Sequence, residues 1–239
     1  MKKLLLATIL VAFMNSALLA SYAEALKLFE KKDYKNSLKI IAGELEIAND
    51  ANPGSPNYNL RFLAAHNHWK LGNMKSAVDH FTRCIEIKKN TAAPYIDLAM
   101  LQIEIKKYGD AEITAKRGLT VEKSPLLYYL LGLISLKKEN FWRAKEMFEK
   151  ANSLDPELHY SYNALGIALM RLKKYGEANT AFSAAYAMKP KSAEILNNLG
   201  MSYEKLGKTK EALEYYEKAG ALDDKNRVVS DNLARLKKK

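Results

Sequence analysis

Three Leu-Gly pairs, Leu131-Gly132, Leu165-Gly166 and Leu199-Gly200, stand 34 residues apart, and a fixed period of that length restricts the chain to stacked copies of one small unit. The same frame carries three more columns: Ala144, Ala178 and Ala212, then Phe148, Phe182 and Tyr216, then Ala151, Ala185 and Ala219. Small residues at fixed positions let helices approach closely, and the Leu and aromatic columns fill the space between them. One unit alone leaves an apolar face bare, so stacking has to bury the core. Composition agrees with helices: 11 Gly and 6 Pro in 239 residues are too few to punctuate the many turns of a β-sandwich or barrel. A lone cysteine excludes an intrachain disulfide, leaving apolar burial to hold the fold.

Residues 125–158 read Tyr128, Leu131, Gly132, Phe141, Ala144, Phe148, Ala151 and Pro156, and residues 159–192 follow with Tyr162, Tyr175, Phe182 and Pro190. This order resembles the tetratricopeptide repeat. The resemblance implies an all-α, right-handed superhelical solenoid of helix-turn-helix repeats with a C-terminal capping helix. Five repeats are expected, at 58–91, 92–124, 125–158, 159–192 and 193–226. The second runs one residue short and has Ala99 for Gly; the first has Ala64-Ala65 for Leu-Gly; the fifth has Asp224 for Pro. Residues 227–239, with Leu233-Ala234 in the Leu-Gly columns, are expected to form the cap and a basic tail. Residues 24–57 are expected to hold a degenerate repeat, marked by Tyr34, Ser37 and Ile41, and a loop, Asn52 to Asn57.

The beginning reads as an address label. Met1-Lys2-Lys3 is a basic start, Leu4 to Met14 an apolar run, and Asn15 to Ala23 a small, mildly polar stretch. A membrane span needs roughly 20 apolar residues, more than this run offers, so residues 1–23 read as a cleaved signal peptide with the mature chain starting at Glu24. With no cysteine near the cut, a lipoprotein is not expected. The expected location is periplasmic or otherwise extracytoplasmic.

Nothing in the chain spells chemistry. No Gly-rich phosphate loop, Gly-x-Ser-x-Gly turn or His-Glu-x-x-His is present, and Cys84, with His80 one turn earlier, sits in a column where Ala packs in other repeats. No enzyme, metal or cofactor is expected. The net charge of +11 includes lysine pairs at helix ends, which suit the macrodipole or form a weak contact for an anionic envelope surface. Export argues against nucleic acid as partner.

By the resemblance, the first helix of each repeat lines a concave face. The columns that face it are Phe62, His66 and Trp69, then Ile96, Met100 and Ile103, then Tyr129, Leu133 and Leu136, then Tyr160, Asn163, Ile167 and Met170, then Asn197 and Met201. They are mostly apolar or aromatic, which suits an amphipathic helix or apolar peptide. The expected function is therefore an exported scaffold or adaptor that binds protein partners in this groove, within an envelope assembly for secretion, pilus, flagellar motor or cell wall. The alternatives are a carrier of a hydrophobic small ligand or lipid, and a subunit that self-assembles through its N-terminal edge.

Overall fold

The computed structural model describes residues 18–47 and 57–237; the basic start and apolar run of the expected leader, most of the Asn52–Asn57 loop, and Lys238 with Lys239 lie outside them. Thirteen helices and no strand occur among the described residues. After α1 (residues 18–30) come α2 (Tyr34–Ile47), α3 (Asn57–Lys70), α4 (Met74–Ile87), α5 (Ala93–Glu104) and α6 (Tyr108–Val121). Then follow α7 (Pro125–Lys137), α8 (Phe141–Leu154), α9 (His159–Arg171), α10 (Tyr175–Met188), α11 (Ala193–Lys205), α12 (Thr209–Leu222) and α13 (Arg227–Lys237). Each helix packs most extensively on a sequence neighbour, so the architecture is an all-α helical repeat. The chain forms two compact units, one ending at Glu122 and the other beginning at Lys123.

Every first helix stops in the same way. Lys32, Gly72, Lys106, Glu139, Lys173 and Gly207 all have positive φ, between 57° and 79°. The following amide reaches back five residues, as Asn73 N to His68 O (2.9 Å), Lys107 N to Gln102 O (2.7 Å) and Lys174 N to Leu169 O (2.9 Å). This satisfies carbonyls that the helix end leaves open and reverses the chain into the second helix. Glycine supplies this conformation without strain at two of the six turns; at the others Lys or Glu adopts it at some cost.

Inside each repeat the first and second helices touch where the Leu-Gly and aromatic columns meet. A Cβ placed on Gly200 would stand 2.6 Å from the Tyr216 ring, and one on Gly132 or Gly166 would fall inside contact distance of Phe148 or Phe182. The three rings are almost completely buried. The repeat with Ala99 in place of Gly has Ala115 sixteen residues later instead of an aromatic, and both are fully buried. Volume is conserved across the pair: a missing ring makes room for the extra methyl. In the C-terminal unit Ala144, Phe148, Ala164, Ala168, Ala178, Phe182 and Leu199 share one core. At its end Val229 and Leu236 of α13 are buried, and Leu233 packs with them on the core residues of α11 and α12.

In the N-terminal unit α1 joins the core of Ala25, Ile41, Leu60, Leu63 and Ala64, against which Leu18, Tyr22, Leu26 and Phe29 pack. Ser37 Oγ donates to Ala25 O at 2.8 Å and Ser21 Oγ to Glu44 Oε1 at 2.6 Å. The cut expected after Ala23 falls within this helix, so Leu18, Ser21 and Tyr22 belong to a packed element of the uncut chain. No helix among the described residues is long and apolar enough to cross a membrane.

Candidate functional site

The expected groove residues lie on the first helices, which are neighbours in the C-terminal unit: α7 touches α9, and α9 touches α11. There Tyr129, Leu133, Leu136, Ile167 and Met170 are half-buried, packed with one side on the shared core. Tyr129 makes an edge-on contact with Tyr160 (centroids 4.7 Å apart) and a tilted one with Phe148 (5.8 Å). Burial, with the Tyr160 and Glu194 charges adding to it, raises the Tyr129 phenol pKa above its ordinary value, so at neutral pH it stays a neutral donor. Met201 on α11 is 37% exposed.

Two of the expected residues behave differently. Asn163 and Asn197 are only 8% and 9% exposed, and their amides bridge helices. Asn163 Nδ2 donates to Glu194 Oε1 at 2.8 Å while Asn163 Oδ1 accepts from Asn198 Nδ2 at 2.9 Å. One repeat on, Asn197 Oδ1 accepts from Asn232 Nδ2 at 3.0 Å, and Arg235 bonds both carboxylate oxygens of Glu204.

The N-terminal unit repeats the pattern with different chemistry. Phe62, His66 and Trp69 on α3 gather around Phe81, with ring centroids 5.7, 5.2 and 6.1 Å away. His66 Nε2 lies 3.1 Å from Asp97 Oδ2, and Trp69 Nε1 donates to Glu104 Oε2 at 2.8 Å, tying α3 to α5. Ile96 and Ile103 are half-buried and Met100 is 43% exposed.

A rule of register emerges from these bonds. The partner on the next first helix is 31 residues on for His66, Asn163 and Glu204, and 35 on for Trp69, Asn163 and Asn197. These offsets bracket the period of 34 and differ by about one helical turn, so a first-helix side chain meets the next first helix at one of two levels a turn apart, and Asn163 bonds at both. Asp97, Glu104, Glu194, Asn198 and Asn232 were not singled out in the sequence. The recurrence of Asn163 at Asn197 and of Asn198 at Asn232, both at the repeat period, is a signal for the two asparagines; the three acids carry no such mark.

Cys84 is buried, its thiol 3.7 Å from Tyr58 O, and burial pushes its pKa up to about 12. His80 stacks on His68, centroids 5.3 Å apart, and its Nδ1 is buried without a partner. Burial, followed by the neighbouring His68 charge, lowers the His80 pKa to about 4. The folded state therefore stays neutral where the unfolded chain takes up a proton near its ordinary pKa of about 6.5. Stability should thus fall as pH drops from about 6.5 to about 4. Urea midpoints at pH 7.5 and 5 should diverge for the wild-type chain and converge for His80→Gln; an equal pH slope in both would show that His80 is not the group responsible.

Small cavities open on the second-helix side of each unit. One of about 280 Å³ lies among α4, α5 and α6, lined by Leu98, Gln102, Ile113 and Arg117, and one of about 270 Å³ lies among α8, α9 and α10, lined by Tyr162, Leu165 and Leu169. Both fall at or below the lower bound for pockets that enclose a drug-sized ligand.

The fold and the paired columns define a helical-repeat protein whose first helices carry a row of half-buried apolar side chains. Profiles described as tetratricopeptide repeat match residues 58–91, 126–158 and 163–226, and the chain belongs to the tetratricopeptide-repeat family. No curated protein matches it in sequence. Among solved structures it is similar to PilW, titled a widely conserved type IV pilus biogenesis factor (16% identity, TM-score 0.77, covering 91% of this chain and 98% of that one). It is also similar to PilF of Pseudomonas aeruginosa (17%, 0.77, covering 93% and 99%). A third is YrrB, titled a tetratricopeptide-repeat protein with an unusual peptide-binding site (19%, 0.60, covering 72% and 89%).

Proposed function

We propose that the chain is an exported interaction scaffold that takes an apolar or amphipathic helix or peptide of a partner protein on its first-helix face, as part of a bacterial envelope assembly. The observation that carries this is the row of half-buried apolar side chains, Tyr129, Leu133, Leu136, Ile167 and Met170, seated on the core from one side and reachable from the other. Met201 extends the row in the C-terminal unit, and Phe62, Trp69, Ile96, Met100 and Ile103 form a second stretch in the N-terminal unit. Aromatic and Met side chains offer large, adaptable contact area. The leader-like beginning supports export, the pilus factors of similar fold support an envelope setting, and the peptide site of YrrB supports a peptide-sized ligand. On this reading residues 24–57 are a degenerate repeat with its loop, and 227–239 a capping helix with a basic tail.

Crosslinking in intact cells, with identification of what co-purifies, tests the reading. Met170→Glu and Met201→Glu should each lower capture of the principal partner by more than tenfold, because a carboxylate desolvated without a counter-charge costs more than the thioether contact contributes. Met201→Glu should leave the melting curve unchanged, since the site is open to water. Capture undiminished in both folded variants would move the binding site off this face.

A further inference from the structure

One edge of the C-terminal unit gathers the turns from first to second helices. The C-terminal end of α13 joins it, because Asn197 meets Asn232 and Glu204 meets Arg235, which sets α13 parallel to α11. Segments 137–142, 171–176, 205–210 and 235–237 make up this edge; they hold ten Lys or Arg and a single acid, Glu139, already paired with Arg171 at 3.7 Å. The opposite edge, segments 154–159, 188–193 and 222–227, holds four basic and four acidic residues. The positive charge is therefore concentrated at one end of the helices.

That end is also greasy. Trp142 is 62% exposed, with Lys174 Nζ 5.3 Å from its ring centroid, and Leu206 at the next-but-one turn is 39% exposed. Arg171 lies over Phe141 at 4.4 Å. Lys174, Arg235 and Lys237 pair with Glu177, Glu204 and Glu217, which lie outside these segments, whereas Lys137, Lys173, Lys205 and Lys210 have no acidic partner among the described residues. Exposed indole and Leu side chains set among unpaired cations are the combination that suits the boundary of a charged bilayer, where rings sit at headgroup depth and long basic side chains reach outward.

We infer that this edge docks on an anionic lipid surface, with Trp142 and Leu206 entering the interface and the surrounding lysines facing the head groups. An anionic polymer would satisfy the lysines but has no apolar interior to take up Leu206 together with the indole, and a neutral bilayer offers nothing to the charge. Docking by the helix ends leaves the first-helix face open, so this inference does not depend on the scaffold reading.

Flotation with phosphatidylcholine vesicles containing about a third phosphatidylglycerol, followed by tryptophan emission, tests it on the whole chain. The chain should float with anionic vesicles and not with pure phosphatidylcholine. Its emission should shift to the blue, and the shift should be lost in Trp142→Phe, which leaves only Trp69. Replacing Lys137, Lys205 and Lys210 together by Gln should weaken partitioning on the order of a hundredfold, at about fivefold per charge near an anionic leaflet. In 0.5 M salt, where screening acts over roughly 4 Å, binding should drop steeply. Failure to float, equal flotation with neutral vesicles, unaltered binding of the triple variant, or binding without a Trp142 shift would each overturn the proposal.

Discussion

Gly166→Ala should destabilise the C-terminal unit by about 1–3 kcal/mol, the range for overpacking a filled core. The added methyl would occupy space held by the Phe182 ring, which is 1% exposed and cannot swing outward without opening the core. Phe182→Ala should cost more, about 3–5 kcal/mol, by leaving a ring-sized void. Combining the two should cost clearly less than their sum, because the methyl added at position 166 then enters the space the ring vacated. Neighbouring sites couple by about 0.5–3 kcal/mol in such cycles. Denaturant unfolding of the four proteins measures the coupling. Strict additivity would mean that Gly166 and Phe182 do not face each other, and would overturn the repeat register with them. The loss should also spread along the array, since each repeat is held mainly by its neighbours.

Asn163 is the second position where one side chain carries a large effect. Its buried amide donates to the exposed Glu194 and accepts from the half-buried Asn198 at the seam between α9 and α11. Asn163→Ala leaves the half-buried Asn198 amide without this partner while the exposed Glu194 returns to water, and should cost about 1 kcal/mol, the net worth of a typical hydrogen bond. Asn163→Asp should cost more at pH 7, because an oxygen replaces the donor facing Glu194 and sets two carboxylates together. Like charges raise the pKa of such a pair above its unfolded value. The penalty is then present at neutral pH and relieved as pH falls through the pair's raised pKa, when one carboxyl takes up a proton and donates to the other. Melting of the three proteins at pH 7.5 and 5 checks the sign; an Asn163→Asp variant that becomes still less stable relative to wild type at pH 5 would show that the Glu194 contact is absent. Circular dichroism alongside partner capture separates loss of the seam from loss of the proposed binding face.

The helical repeat was legible in the sequence because its columns are steric. Gly132, Gly166 and Gly200 are small for the reason that Phe148, Phe182 and Tyr216 are large, and period alone exposes that exchange. The turns were legible less directly: Gly72 and Gly207 advertise a left-handed residue, but Lys106, Glu139 and Lys173 adopt the same conformation without any such sign, since the five-residue back-bond and the packing of both helices impose it. The apolar character of the first-helix columns was also plain. That Tyr129 would lean on Tyr160, or that Phe62, His66 and Trp69 would crowd round Phe81, was not, because those contacts depend on how far one helix is rotated and raised against the next.

Charge and hydrogen bonding divide along the same line. Periodicity and side-chain volume are enough to specify a stack of helix pairs, where each pair closes, and which helices carry the apolar columns, because burial and volume act between residues a fixed number of positions apart. Helix-on-helix packing is what makes Asn163 and Asn197 struts between helices, with partners 31 or 35 positions on. Stacking alone likewise brought the lysines of three separate turns to one edge beside Trp142. A polar or charged side chain is defined by what it meets, and the meeting is set by the rotation and rise between neighbouring helices.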